Sequence, residues 1–289
     1  MQEAKLKFVE CPRDAMQGIK DFIPTQKKID YINRLLNVGF DTIDFGSFVS
    51  PKAIPQMADT AEVLAQLDLS ATKSKLLAII ANSRGAEDAC KHEAIAYLGF
   101  PFSISETFQQ RNTNSTIAES LDRVKEIQDL CLKHNKTLVV YISMAFGNPY
   151  NDPWNAEIAI HWCEKLHREL GVQILALSDT IGVSNPENIS TLFSALVPSL
   201  PNVEFGAHLH TTPDTWSEKI EAAYRSGCRR FDGAIKGYGG CPMAKDDLTG
   251  NMPTEKMLSW FDQNKIATGI DKDLFLDALI FSGEVFPNY

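Results

Sequence analysis

The run Phe205-Gly206-Ala207-His208-Leu209-His210-Thr211-Thr212 carries an apolar stretch into two histidines separated by one residue. In a β-strand, side chains at i and i+2 point to one face, so His208 and His210 project together, close enough to share a cation. A His-x-His pair alone says little. Its weight comes from other segments in which an apolar run stops in the same manner: Arg13-Asp14, Asp179, and the glycine-flanked segment 241–251.

Outward from that strand, one rhythm covers the chain. Strand-like runs are predicted over 6–10, 41–48, 75–81, 95–102, 137–146, 173–177, 203–210 and 229–235. Helices are predicted over 25–38, 57–67, 84–91, 116–134, 155–170, 186–196, 214–226 and 254–263. In the first helix Ile29, Ile32, Leu35 and Leu36 share a stripe that Thr25 opens and Gly39 stops. Pro186 opens the sixth, and Gly171 and Gly227 close two others. Eight strand-then-helix units predict a TIM (β/α)8 barrel as a single domain over 1–289. A doubly wound open sheet shares the alternation and is the competing fold. In a barrel, functional groups gather at the C-terminal strand ends. The unusual polar residues fall there: Arg13, Asp14, Asp44, Ser47, Asn82, Tyr141, Ser143, Asp179, His208, His210 and the loop 237–250.

Composition narrows the partners. The 289 residues are 44% hydrophobic and 22% charged, as in a globular chain with a large core. A formal charge of −9 with no Lys/Arg run longer than a pair excludes a nucleic-acid surface. No apolar stretch reaches the ~18–20 residues of a membrane span. Residues 1–4 lead into a strand-like run without the layout of a secretory signal, which predicts a cytoplasmic location. Six cysteines without CxxC spacing read as reduced thiols, five of them (Cys11, Cys90, Cys131, Cys163, Cys228) as small buried residues.

The sixth, Cys241, follows Gly237-Tyr238-Gly239-Gly240. That loop either swings over the mouth and presents a thiol able to exchange a proton, or is a tight turn with an incidental cysteine. Asp14 is a candidate third metal ligand and Asn251 a source of an amide oxygen. With two imidazoles and a carboxylate this set suits Mg²⁺ or Mn²⁺, and Zn²⁺ less, because no thiolate is obviously placed. Arg13 offers a fixed cation where negative charge develops, or a structural ion pair. Asp179 either hydrogen-bonds a substrate hydroxyl, supports the metal shell or serves a turn; Asp44 either joins the chemistry or braces Arg13.

Taken together the residues resemble the 3-hydroxy-3-methylglutaryl-CoA lyase family. The likeness rests on Val9-Glu10-Cys11-Pro12-Arg13-Asp14-Ala15-Met16-Gln17, on Ser47-Phe48-Val49-Ser50-Pro51-Lys52 with Pro55-Gln56-Met57, and on Ser178-Asp179-Thr180-Ile181-Gly182-Val183. The His208–His210 pair, Gly239-Gly240-Cys241-Pro242, Gly250-Asn251 and Thr254-Glu255 complete it. The resemblance implies a (β/α)8 barrel binding Mg²⁺ or Mn²⁺ through Asp14, His208, His210 and Asn251. It implies that Arg13 steadies an enolate, Asp179 lies near the reacting hydroxyl, Asp44 belongs to the catalytic set and Cys241 is a mobile-loop acid/base. Gln17, Ser47, Asn82, Tyr141 and Ser143 are expected to bind substrate. The implied reaction splits 3-hydroxy-3-methylglutaryl-CoA into acetyl-CoA and acetoacetate, in a homo-oligomer.

Three positions depart from the family pattern: Thr211 where aspartate usually follows the second histidine, Asp44 for a glutamate, and Val139 for an arginine. They leave open a related aldolase or Claisen-condensing synthase acting on another hydroxyacyl or 2-oxo acid, although a regulated synthase would carry a long C-terminal extension beyond Tyr289. A barrel hydrolase, with its histidine pair on the first strand, and a non-catalytic acyl-CoA binder are the remaining readings.

Overall fold

The computed structural model describes residues 5–240 and 249–287. Eight parallel strands, β1 (Lys7–Glu10), β2 (Thr42–Ser47), β3 (Lys75–Ile79), β4 (Ile95–Ser103), β5 (Thr137–Ser143), β6 (Ile174–Asp179), β7 (Glu204–Thr211) and β8 (Arg230–Gly233), pair in sequence order. β1 then pairs with β8, from Lys7 opposite Arg230 to Glu10 opposite Gly233, and the sheet closes. Closure excludes the open doubly wound sheet: this is a TIM (β/α)8 barrel.

Helices α1 (Pro12–Gln17), α2 (Thr25–Val38), α3 (Thr60–Ala65), α4 (Ser83–Cys90), α5 (Glu106–Thr113) and α6 (Ile117–Lys133) connect the first five strands. α7 (Ala156–Leu170), α8 (Pro186–Ser199), α9 (Trp216–Arg225), α10 (Thr254–Gln263) and α11 (Lys272–Val285) follow. Local chemistry sets their ends. Gly39 takes φ +100° after α2, Thr116 and Glu119 form a capping box on α6, and Asn185 caps α8 with Pro186 at its first turn. Among the described residues no helix is long and apolar enough to cross a membrane.

Four elements were not legible. α1 is too short to show a helical period. α5 is largely polar and buries only Phe108 and Gln109. α11 exposes Leu274, Leu276 and Ile280 while burying Phe275 and Ala278, so its apolar residues form no single stripe. β9 (Gly250–Asn251) runs antiparallel to the end of β7, with Asn251 opposite His210. The fifth strand stops at Ser143 rather than 146 because Met144 turns the chain at φ +61°. The predicted helix 57–67 shortens to α3 behind a 3-10 turn, Pro55–Met57.

One apolar layer lies between strands and helices. A second fills the barrel, where Leu77, Ile79, Tyr97, Val139, Tyr141, Ile174 and Ala176 pack together. Val139 thus joins an apolar floor two residues below Tyr141, with no exposure. An interior cation comes from β8 instead: Arg230 is fully buried, pairs with Glu204 at 3.1 Å and lies 5.8 Å from the Tyr97 ring. Glu10, also fully buried, accepts from the Ile235 N–H (2.8 Å) and the Thr254 hydroxyl (2.6 Å), tying β1 to the chain after β8. Burial raises its carboxyl to about 8.

Candidate active site

α1 begins where β1 ends, and Pro12 at its first turn costs no hydrogen bond. Helical spacing puts Arg13, Asp14 and Gln17 on adjoining faces at i, i+1 and i+4. The Arg13 guanidinium forks onto Asp44, Nε to Oδ2 at 3.0 Å and Nη2 to Oδ2 at 2.6 Å. Nη1 donates to Asp14 Oδ1 at 3.0 Å and to Gln17 Oε1 at 2.8 Å. Asp44 therefore braces Arg13, the second of its two sequence readings. Burial raises the Asp44 carboxyl to about 6 even beside that guanidinium.

Asp14 receives Gln17 Nε2 at 2.5 Å and Asn251 Nδ2 at 2.8 Å, the latter brought in by β9. Burial raises this carboxyl, but the charge on Arg13 and the two imidazoles outweigh it and hold Asp14 at about 2. It is a carboxylate throughout the neutral range. Asn251 also donates Nδ2 to the Tyr238 carbonyl at 2.8 Å, so the nitrogen of its amide is the atom engaged with the cluster. The Asn251–Asp14 contact depends on Gly239, whose φ is +81° and whose added Cβ would lie 2.6 Å from the Asp14 carbonyl oxygen.

The imidazoles lie 5.4 Å apart, centre to centre, on one face of β7. Ligand atoms of Asp14, His208 and His210 all fall within 4.8 Å of one another. Neither ring nitrogen of His210 has a hydrogen-bond partner among the described residues, although the side chain is buried. Burial and the neighbouring His208 lower its pKa to about 4, leaving a neutral imidazole with a free lone pair. A neutral His210 ring with no partner among the described residues, the His208 imidazole and an ionised carboxylate offer one ligand atom each, a donor set that fits a divalent ion.

His208 is held from below by a residue the sequence reading missed. Its Nδ1 lies 3.3 Å from Asp232 Oδ2, across the register pair of β7 and β8. Burial pushes this imidazole down, yet the hydrogen bond to Asp232 and its charge raise it overall. A carboxylate on one nitrogen fixes the ring and turns the other toward a metal. The signal was present as a charged residue inside the predicted eighth strand. The Tyr141 ring meets His208 nearly edge-on, 5.5 Å away at 79°. Thr211 does not reach the histidines: its hydroxyl serves the Thr212 carbonyl and Thr215.

These groups open into a cavity of about 240 Å³ lined by Arg13, Asp14, Gln17, Tyr141, Ser143, His208 and His210, with Ser178, Thr180 and Gly240 at other walls. Phe108, Pro101 and Ile54 make an apolar side. Five expected site residues among those described are not on its walls: Asp44 and Asn251, which bond Arg13 and Asp14, and Asp179, Ser47 and Asn82. Asp179 was expected to reach the mouth; its oxygens instead accept the Val183 and Ser184 N–H groups (2.9 and 2.8 Å) and face Lys219 at 3.2 Å. Lys219, buried and also unforeseen, donates to the His210 carbonyl at 2.8 Å. Ser47 bonds the Ile79 carbonyl and Asn82 caps α4 through the Gly85 N–H. Short polar side chains at strand ends satisfy the turning backbone first. Cys241 lies outside the described residues. The five described cysteines are free and buried, as expected, but Cys11 is not remote from the site: its thiol falls within 4.8 Å of His208 and Asp232 ligand atoms.

The HMGL-like family model matches residues 5–279. A hydroxymethylglutaryl-CoA lyase of Bacillus subtilis is 34% identical over 92% of this chain and 88% of its own. A 3-hydroxy-3-isohexenylglutaryl-CoA/hydroxy-methylglutaryl-CoA lyase of Pseudomonas aeruginosa is 33% identical over 95% and 90%. The crystal structure of the HMG-CoA lyase from Brucella melitensis superposes with a TM-score of 0.91 at 30% identity, covering 98% of this chain and 99% of that one. A structure from Acinetobacter baumannii, described as an HMG-CoA lyase in complex with coenzyme A and 3-methylmalate, gives 0.89 at 30%, covering 99% and 93%.

Proposed function

The chain belongs to the HMGL-like family, and on that premise we propose that it is a carbon–carbon lyase that splits 3-hydroxy-3-methylglutaryl-CoA into acetyl-CoA and acetoacetate. The observation that carries the reading is the meeting of Asp14, His208 and His210 ligand atoms within 4.8 Å, with Arg13 bonded to the same carboxylate.

Asp14, His208 and His210 would hold Mg²⁺ or Mn²⁺, joined by the Asn251 oxygen after its amide turns over. When bound, such an ion supplies Lewis acidity that favours ionisation of the substrate's C3 hydroxyl. The chain's own groups do the rest. As the C2–C3 bond breaks, negative charge arrives on the thioester oxygen. Of the five N–H bonds of Arg13, those to Asp44, Asp14 and Gln17 use four, which among the described residues leaves one on Nη2 for that oxygen. The four bonds hold the guanidinium rigid, so little reorganisation accompanies charge transfer. Cys241 follows directly on Gly240, a cavity-wall residue, and its thiol delivers the proton to C2. Asp179 acts through position: it holds the turn at 183–184 and Lys219, which in turn holds the His210 carbonyl. Tyr141, Ser143 and Gln17 line the cavity where the acyl group would lie. Val139 leaves an apolar floor, which suits the substrate's methyl group.

With Mg²⁺ present, purified protein is expected to release acetoacetate from 3-hydroxy-3-methylglutaryl-CoA. Cys241→Ala and Arg13→Gln should each lower turnover by about 10²-fold or more while the ion stays bound. Unchanged turnover in both, or activity confined to 2-oxo acids, would overturn the reading in favour of a related synthase.

A further inference from the structure

We propose a second cation position, built from Cys11, His208 and Asp232 and sharing His208 with the first, that takes a thiophilic divalent ion such as Zn²⁺, Cd²⁺ or Co²⁺.

The geometry is that of a three-ligand site. A sulfur, an imidazole nitrogen and a carboxylate oxygen of these residues all lie within 4.8 Å of one another. Cys11 follows directly on β1 as the residue before α1, and Asp232 sits opposite His208 in the β7–β8 register, so two neighbouring strands and the end of a third supply one ligand each. Bonds of about 2.0–2.3 Å to a tetrahedral ion place ligand atoms about 3.5 Å apart, and these atoms already lie within 4.8 Å of one another. Cys11 is 1% exposed and Asp232 3%. Asp232 Oδ2 serves His208, while Oδ1 has no hydrogen-bond partner among the described residues. Among the described residues the thiol makes only a long approach, 3.8 Å, to the Val9 carbonyl. A buried carboxylate oxygen without a donor, next to a weakly engaged thiol, is the signature of a cation position rather than of a satisfied core.

Sulfur decides which ion. The upper set of carboxylate, imidazoles and amide prefers hard ions, whereas a thiolate shifts preference to Zn²⁺, Cd²⁺ and Co²⁺. On binding, the Cys11 S–H bond breaks, its proton leaves to solvent, and a sulfur–metal bond forms. Thiolate and Asp232 carboxylate then balance the two positive charges, with His208 as neutral donor. A nitrogen of His208 that bonds this ion cannot keep its proton, which must move to the other nitrogen, the one the upper ion requires. The two positions therefore compete, and a thiophilic ion weakens Mg²⁺ binding and slows turnover.

The test is Co²⁺ titration of the chelator-treated full chain, read by the near-ultraviolet sulfur-to-cobalt charge-transfer band. The expected result is a stoichiometric band in wild type and in Cys241→Ala, lost in Cys11→Ser and Cys11→Ala. No band in wild type, a band that survives Cys11→Ser, or one lost in Cys241→Ala would overturn the proposal. Should the Cys11 variants fail to fold, anomalous diffraction from wild-type crystals soaked in Cd²⁺ decides: a peak between Cys11 Sγ and Asp232 supports the site, and peaks only elsewhere refute it. No substrate is present in either measurement, so a failed lyase assay and a failed cobalt band remain separate outcomes.

Discussion

Asp232 shows how far a single buried carboxylate reaches into the site. It does not itself line the cavity, yet its bond to His208 Nδ1 at 3.3 Å sets which imidazole nitrogen faces Asp14. Asp232→Asn keeps shape but removes the charge, and is expected to weaken Mn²⁺ binding about 10- to 100-fold, measured by electron paramagnetic resonance titration. An unchanged affinity would mean that packing alone, including the edge of Tyr141, orients the ring. Glu10 is a second buried carboxyl, with a stability rather than a catalytic consequence. Its pKa rises from 4.5 to about 8 on folding. Between those values the folded chain holds a proton that the unfolded chain has lost, so this group's contribution to stability falls as pH rises through the window. Glu10→Gln can keep the bond from the Ile235 N–H on its amide oxygen and, with the Thr254 hydroxyl turned to accept from its amide nitrogen, the second contact, without the buried charge. Its melting temperature should match wild type near pH 5 and exceed it by several degrees near pH 8.5; parallel curves would contradict the assignment.

At the scale of elements, α1 and β9 bring the site together, and neither was legible. Six residues are too few for a hydrophobic period, and a two-residue strand has no pattern at all. The long helices and the strands were legible because their apolar spacing repeats over several turns or pleats, as in Ile29, Ile32, Leu35 and Leu36 of α2. Residue types that mark chemistry, Arg13, Asp14, His208 and His210, could be read directly from the chain. Which polar groups the backbone would claim could not, and so Asp179, Ser47 and Asn82 were expected on the cavity wall but serve turns and a helix cap. Asp232 and Lys219 were passed over because a charged residue in a strand or helix is ordinarily read as solvated. Gly239 is the element-level hinge of the site: an added Cβ would meet the Asp14 carbonyl at 2.6 Å and Asn251 Nδ2 at 3.0 Å, with φ at +81°. Gly239→Ala is therefore expected to push the loop off α1 and to reduce metal affinity at least tenfold, with the far-ultraviolet circular dichroism of the barrel unchanged. Wild-type affinity would show that Asn251 is not needed there.

Over the whole molecule, barrel closure converts sequence distance into contact. β1 must lie beside β8 for Asp14 to meet residues of β7, and Glu10, bonded to Ile235 and Thr254, fastens that seam from within. The same closure buries Arg230 and Val139 below the site and leaves the ionisable groups at one mouth. Residues from the start and the end of the chain would hold one ion there. Crystals grown with Mn²⁺ and recorded at the manganese edge measure this directly. A single anomalous peak within bonding distance of the Asp14 carboxylate and the imidazoles of His208 and His210 is the expected result. A peak bound elsewhere, or none at saturating Mn²⁺, would contradict it.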